Sequence, residues 1–319
     1  MTILDAATLQ RHLPARLKFY LKPYYRKVFR NRLHVMFWPT FRCNYRCSYC
    51  PICVQFDFAS VFGKDSERSG AEWLEAFDRL PPASFYIAGG EPLLYRDLPV
   101  IINELPAKHS VLGIVTNLSA RPEVYARITK RIHLNASFHR EFVTEEDFIE
   151  KVLLLQEQFH INVNIVATPQ NLEVLKRIKD LMRTKSISLH VDPYVDAGFR
   201  YSLEQLKALG KHLAADRGAV DFADRSSKNC SAGQNYINVL PDGEVFTCAA
   251  GFTYTYSTLF ADVVAGQELN HYRMKGLFEP DFSLNGEYTK CTLPCKDACD
   301  YDSVIIRHGS TARAGTRAV

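Results

Sequence analysis

The chain has 319 residues, enough for one large α/β domain with a smaller companion. Its 47% hydrophobic and 23% charged residues are ordinary for a globular protein and argue against wholesale disorder. The net charge of +4 is unevenly placed: no acidic residue lies between Asp5 and Asp57, while Arg11, Lys18, Arg26, Lys27, Arg30 and Arg46 are among the cations that do.

No apolar run reaches the roughly 18 residues of a membrane-spanning helix. The opening "MTILDAATLQRHLPAR" lacks the charged-then-apolar order of a signal peptide. Nine cysteines in such a chain point to metal or redox chemistry rather than disulfides, and a cytoplasmic location is expected.

In chain order, residues 1–33 form a basic N-terminal extension that interleaves cations with aromatic and aliphatic residues, interrupted by Pro14 and Pro23. It reads as a helix packed on the main domain with a solvated basic face, or as a segment making weak contact with anionic surfaces. It is also expected to be too short for a leader-peptide-binding domain. Strand patterns follow at 34–40, 84–90, 110–117, 131–139, 161–168 and 186–195. Helical patterns alternate with them at 69–81, 96–106, 121–129, 144–159, 171–184 and 202–216, with Ser69 and the Thr144–Asp147 pair as caps. Six strand–helix units predict a parallel sheet with helices outside, as a partial barrel or an open sheet. Past residue 216 helical periodicity fades and five of the nine cysteines appear. Residues 236–248 read as a β-hairpin turning at Pro241-Asp242-Gly243. We expect a main domain over 34–216 and a cysteine-rich domain over 217–319, ending in a frayed polar tail.

The stretch "FRCNYRCSYCPIC" places Cys43, Cys47, Cys50 and Cys53 directly after the first strand. Three thiolates in one loop suit a soft metal centre. A structural zinc would want a fourth ligand, whereas an iron–sulfur cluster on three cysteines leaves one iron open. The C-x3-C-x2-C spacing with Tyr49 before its third cysteine, followed by Gly89-Gly90-Glu91-Pro92 at the end of the second strand, resembles the radical SAM superfamily over roughly residues 34–200. The resemblance implies a partial (β/α)6 barrel and a [4Fe-4S] cluster held by Cys43, Cys47 and Cys50. The open iron would chelate S-adenosylmethionine, and an electron would cleave it to methionine and a 5′-deoxyadenosyl radical. Gly89, Gly90, Glu91 and Pro92 would receive the methionyl ammonium, while Thr116, Asn117, Asn135 and Ser137, at the third and fourth strand ends, suit the carboxylate and ribose. His139 should face the mouth of the sheet as a substrate contact or proton-transfer group, or as a hydrogen-bonded loop histidine. Cys53 is read as a packed thiol, a hydrogen-atom donor or an alternative ligand.

Cys230, Cys248, Cys291, Cys295 and Cys299 form a second group. With "DGEVFTC" they resemble the SPASM and twitch extensions of radical SAM enzymes. That implies one auxiliary [4Fe-4S] cluster on Cys230, Cys248, Cys291 and either Cys295 or Cys299, the remaining thiol (Cys299 in the first case) serving as a radical-quenching donor. A structural zinc site remains the alternative. The function expected first is hydrogen abstraction from a C–H bond, leading to oxidation or epimerisation of a small sugar or aminocyclitol-like substrate. Modification of a ribosomally made peptide comes second, and a non-catalytic iron–sulfur electron carrier or sensor is the reading from another class. The basic N-terminus and the cysteines also suit a zinc-stabilised nucleic-acid-binding module, but no recognition motif accompanies them and no nucleic-acid partner is expected. A reductant such as flavodoxin or ferredoxin is expected.

Overall fold

The computed structural model describes residues 32–50, 68–194, 199, 201–202, 204–205, 228–257, 265–266, 268–292 and 306–308. Six strands run parallel in sequence order: β1 (Leu33–Phe37), β2 (Ala83–Ile87), β3 (Ser110–Thr116), β4 (His133–Ser137), β5 (His160–Ala167) and β6 (Ser188–Pro193). Between them lie α1 (Gly70–Asp78), α2 (Leu98–Glu104), α3 (Pro122–Ala126), α4 (Glu145–Leu155), α5 (Pro169–Leu172) and α6 (Leu175–Thr184). This is a mixed α/β fold built on a mostly parallel sheet, as the partial-barrel expectation requires.

Strand β5 shows why the sequence folds this way. Ile161, Val163, Ile165 and Ala167 are buried, while the intervening His160, Asn162, Asn164 and Val166 are half-buried. The apolar face meets the helices and the polar face lines the inside of the sheet. On β1 and β2 the outer face is aromatic. Trp73 and Phe77 of α1 meet Phe37 at 4.8 and 5.1 Å between ring centroids, and Phe77 meets Phe85 at 4.7 Å. Each such pair contributes about 0.5–1.5 kcal/mol beyond its area burial.

The predicted caps are present. Ser69 and Glu72 form a reciprocal capping box, and the Thr144 hydroxyl accepts the Asp147 N–H at 3.1 Å. One expected helix differs: the run over 171–184 is two helices. Thr168 caps a first turn with Pro169 at its start, and Asn171 turns its side-chain N–H back to the Val166 carbonyl at 2.7 Å. The helix then restarts at Leu175. The segment predicted as a helix from 202 opens with Ser202 and Gln205 exchanging backbone-to-side-chain bonds, and its remainder lies outside the described residues. So do residues 1–31, the domain boundary expected after residue 216 and the polar tail.

The later strands are β7 (Lys228–Cys230), β8 (Tyr236–Val239), β9 (Val245–Phe246), β10 (Arg273–Met274), β11 (Thr289–Cys291) and β12 (Ile306–His308), with helix α7 at Ala249–Tyr256. The β8–β9 hairpin turns at Gly243, whose φ of +87° favours glycine. Its first strand pairs in parallel with β1, so the hairpin and β10 extend the main sheet to the order β10-β9-β8-β1-β2-β3-β4-β5-β6. Strands β11, β7 and β12 form a separate small sheet. No helix among the described residues is long and apolar enough to cross a membrane.

Candidate active site at the carboxyl end of the sheet

Strand β1 runs directly into the loop that carries Cys43, Cys47 and Cys50, and the end of β2 fastens that loop in place. Gly90 N–H donates to Thr40 O at 3.1 Å and Glu91 N–H to Arg42 O at 2.8 Å. A Cβ on Gly90 would stand 2.2 Å from Arg42 O, and one on Gly89, at φ +152°, would stand 2.3 Å from Thr40 O. The close approach these glycines permit is that of the cysteine loop itself. Glu91 is fully buried. Its carboxylate accepts the Asn117 N–H at 2.7 Å, the Thr116 hydroxyl at 2.9 Å and the Leu93 N–H at 3.1 Å. Burial pushes its acid up to about 7 against the pull of those donors. Glu91 therefore ties the ends of β2 and β3 together, and Pro92 opens the short turn that follows.

Asn117 reaches from β3 to the loop, its side-chain N–H donating to Asn44 Oδ1 at 3.2 Å and lying 3.8 Å from Cys43 Sγ. Tyr45 N–H donates to the same sulfur at 3.4 Å. Burial raises the Cys43 thiol, with smaller upward pushes from Glu91 and Cys50. From the other side, residues 139–142 after β4 cover the loop. His139 Nδ1 lies 3.2 Å from Cys47 Sγ and 2.8 Å from the Tyr49 hydroxyl. Glu141 accepts both the Ser48 N–H at 3.1 Å and the Ser48 hydroxyl at 2.6 Å. Phe142 stacks on Tyr45 with centroids 4.5 Å apart. Burial holds the His139 imidazole down to about 4, with Glu141 pulling the other way.

The structure thus gathers Cys43, Cys47, Cys50, Tyr49, Gly89, Gly90, Glu91, Pro92, Thr116, Asn117 and His139 at one end of the sheet. Ser137 and Asn135 sit on the inner face of β4, opposite Asn164 and Asn162 of β5 in register. Cys53 lies outside the described residues. Sequence reasoning missed Asn44, Glu141 and Phe142. Farther round the inner face, His190 Nε2 lies 3.1 Å from Asp192 Oδ1 on β6. Tyr86 of β2 is pushed up to about 12 by burial and, secondarily, by the Asp192 carboxylate.

A second group of thiols is buried beside β1. Cys230, Cys248 and Cys291 share one buried cluster with Met36, Tyr236, Tyr254 and Tyr272, against which Trp38 and Tyr86 pack. Cys248 Sγ caps α7 by accepting Gly251 N–H at 3.1 Å, Cys230 Sγ accepts Ala232 N–H at 3.5 Å, and Cys291 Sγ accepts the Tyr272 hydroxyl at 3.4 Å. Cys295 and Cys299 lie outside the described residues. Among the described residues no three His, Cys, Asp or Glu side chains close around a single metal ion. A cluster is less demanding, because each thiolate binds a different iron. Thiols that receive N–H and O–H donors are the donor chemistry of iron–sulfur ligands, and they do not suit a hard cation.

A parallel α/β sheet with a thiol-bearing loop fastened across its carboxyl end defines the class: a partial barrel built to hold a reactive centre at its mouth. Residues 39–217 match the Radical SAM superfamily, and the chain belongs to it. It is an enzyme of a family that uses a [4Fe-4S] cluster and S-adenosylmethionine. Relatives include the PqqA peptide cyclases of Granulibacter bethesdensis, 23% identical over 68% of this chain and 67% of theirs, and of Xanthomonas oryzae pv. oryzae, 25% identical over 80% and 75%. The S-adenosylmethionine-dependent nucleotide dehydratase of Selenomonas ruminantium is 30% identical over 31% of this chain and 36% of its own. Among solved structures, Streptococcus suis SuiB bound to S-adenosylmethionine superposes with a TM-score of 0.54 at 19% identity, over 78% of this chain and 64% of SuiB. The chain therefore spans just under two thirds of SuiB. SuiB bound to its precursor peptide SuiA gives 0.52 at 16% identity, over 87% of this chain and 72% of that one.

Proposed function

We propose that this chain is a radical SAM maturase of a ribosomally made peptide, with Cys43, Cys47 and Cys50 holding the cluster that binds S-adenosylmethionine. When bound, that pair supplies a 5′-deoxyadenosyl radical able to take a hydrogen atom from a C–H bond. Gly89 and Gly90 let the loop close on the end of β2, where Glu91 also holds it, and Asn117 fixes its position from β3. Asn135, Ser137, Asn164 and Asp192 offer the polar inner surface on which nucleotide and substrate groups would be held. Cys230, Cys248 and Cys291, with Cys295 or Cys299, would hold an auxiliary cluster, leaving the fifth thiol free.

The peptide reading replaces the small polar substrate as first choice because the relatives that cover most of the chain are named for a peptide. The nucleotide dehydratase likeness, confined to a third of the chain, favours a small substrate less strongly. The name cyclase favours oxidative bond formation over epimerisation. The observation that carries the two-centre reading is the burial of three distant thiols with Met36, on the very strand that leads to Cys43, with Trp38 just after it packed against them.

The test has two parts. Air-free protein should contain about eight irons with matching sulfide if both centres fill, at four irons per cluster. About four, or zinc in their place, refutes the auxiliary centre. Reduced protein should convert S-adenosylmethionine to 5′-deoxyadenosine. Peptides encoded beside its gene and co-expressed with it should lose two hydrogens by mass spectrometry. Peptides of unchanged mass and deuterium content in deuterated water, with turnover of a sugar instead, would return the reading to a small substrate.

A further inference from the structure

In segment 139–142, His139, Glu141 and Phe142 touch the cysteine loop, while Arg140 turns to Gln170 and Glu145. His139 is the most constrained of them. Its carbonyl accepts the N–H groups of Phe142 and Val143 at 2.9 and 3.2 Å, and the preceding Phe138 N–H is bonded to Asn164 O at 2.8 Å. The ring lies parallel to Tyr49 and edge-on to Tyr45, at 5.9 and 5.8 Å between centroids. So fixed, Nδ1 stands 3.2 Å from Cys47 Sγ and 2.8 Å from the Tyr49 oxygen.

The chemistry of that contact depends on the state of the sulfur. A thiol can donate its proton to an imidazole nitrogen, but a thiolate only accepts. When Cys47 becomes a ligand, a bare Nδ1 lone pair would face a negative sulfur at hydrogen-bonding distance. Moving the imidazole proton from Nε2 to Nδ1 removes that repulsion with no change in charge. The Tyr49 hydroxyl then no longer donates to Nδ1.

We propose that His139 is a positioning residue that donates Nδ1–H to the Cys47 sulfur once that sulfur is a cluster-bound thiolate, and so raises the reduction potential of the cluster. Hydrogen bonds to ligand sulfurs stabilise the more negative, reduced state. The inference rests on the assignment of Cys43, Cys47 and Cys50 to the cluster. It departs from the substrate-contact and proton-transfer readings of His139 and builds on the third, a hydrogen-bonded loop histidine.

The test uses the full chain, reconstituted without air, with iron and sulfide counted. A potentiometric titration follows the paramagnetic signal that S-adenosylmethionine perturbs, which belongs to the substrate-binding cluster. His139→Leu removes the donor, whereas His139→Asn places an amide N–H near the Nδ1 position. Loss of the donor should make reduction about tenfold less favourable, 59 mV for a one-electron couple, and Asn should restore it. A Leu variant that titrates with the wild type, or an Asn variant that shifts as far as Leu, overturns the proposal. If the Leu variant takes up no iron, the comparison of Asn with His139→Gln decides, because Gln places its amide near Nε2. Equal potentials for those two refute the role, and a lower one for Gln supports it. A wild-type chain showing no signal sensitive to S-adenosylmethionine defeats the cluster assignment itself, and with it this proposal.

Discussion

Replacing Gly90 by alanine adds a single methyl group at the tightest backbone contact of the site. The new Cβ would stand 2.2 Å from Arg42 O and 2.4 Å from Phe41 O, where ordinary contact begins near 3.4 Å. Both atoms are backbone, so no side chain can swing aside and the loop must retreat by roughly 1 Å. That retreat strains or breaks the bonds from Gly90 N–H to Thr40 O and from Glu91 N–H to Arg42 O. Two lost bonds at about 1 kcal/mol each, with about 1–3 kcal/mol of overpacking, give a destabilisation of roughly 3–5 kcal/mol. Urea unfolding of air-free protein, followed by fluorescence of Trp38 and Trp73, should show it. Gly286→Ala is the control, since a Cβ there meets nothing within 4 Å. The iron bound by the Gly90→Ala chain should also fall, because Cys43 follows directly after the displaced Arg42. A Gly90 variant as stable and as iron-rich as the Gly286 variant would refute the reasoning.

Other outcomes follow from the same geometry. Burial raises Glu91 from about 4.5 in the unfolded chain to about 7, so its contribution is full below pH 4.5 and is lost as pH rises through 7, about 3 kcal/mol in all. Urea midpoints measured from pH 5 to 8 should therefore fall more steeply for the wild type than for Glu91→Gln, and equal slopes would contradict the assignment. Cys248→Ala removes both a thiol and the cap of α7, and should lower bound iron by about four atoms per chain while leaving the signal sensitive to S-adenosylmethionine. Unchanged iron content would count against an auxiliary centre on that residue. Asn117→Ala removes the amide that meets Asn44 and Cys43 and should weaken retention of the first cluster, read as faster iron loss to a chelator.

The alternation of apolar and polar residues made the six strands and their order legible, because period-2 patterns such as that of β5 record which face meets helices. Caps were legible for the same local reason, since Ser69 and Thr144 bond to groups three residues away. The Gly89-Gly90-Glu91-Pro92 motif was visible too, but the partners of its parts were not. Nothing local says that the glycines face Thr40 and Arg42 or that Glu91 is sealed beneath Asn117. Asn44, Glu141 and Phe142 carried no signal, because their work arises where segments far apart in sequence meet, 73 residues for Asn44 with Asn117 and 93 for Glu141 with Ser48. The break after α5 went unseen although its marks are local: Thr168 caps the turn, and the Asn171 side-chain N–H returns to Val166 O five residues back. The hairpin itself was legible from its turn, yet its choice of β1 as neighbour depends on a pairing across some 200 residues, marked by the bond from Trp38 Nε1 to Asn238 Oδ1 at 3.3 Å.

That pairing gives strand β1 neighbours on both flanks, β2 on one and β8 on the other. A chain cut off at residue 217 would leave one flank of β1 with open amide and carbonyl groups, next to the apolar surfaces of Met36 and Trp38. Unsatisfied edges of this kind invite association between molecules. Strand β8 thus seals the flank of the strand that carries the cysteine loop, and a chain cut before it should aggregate.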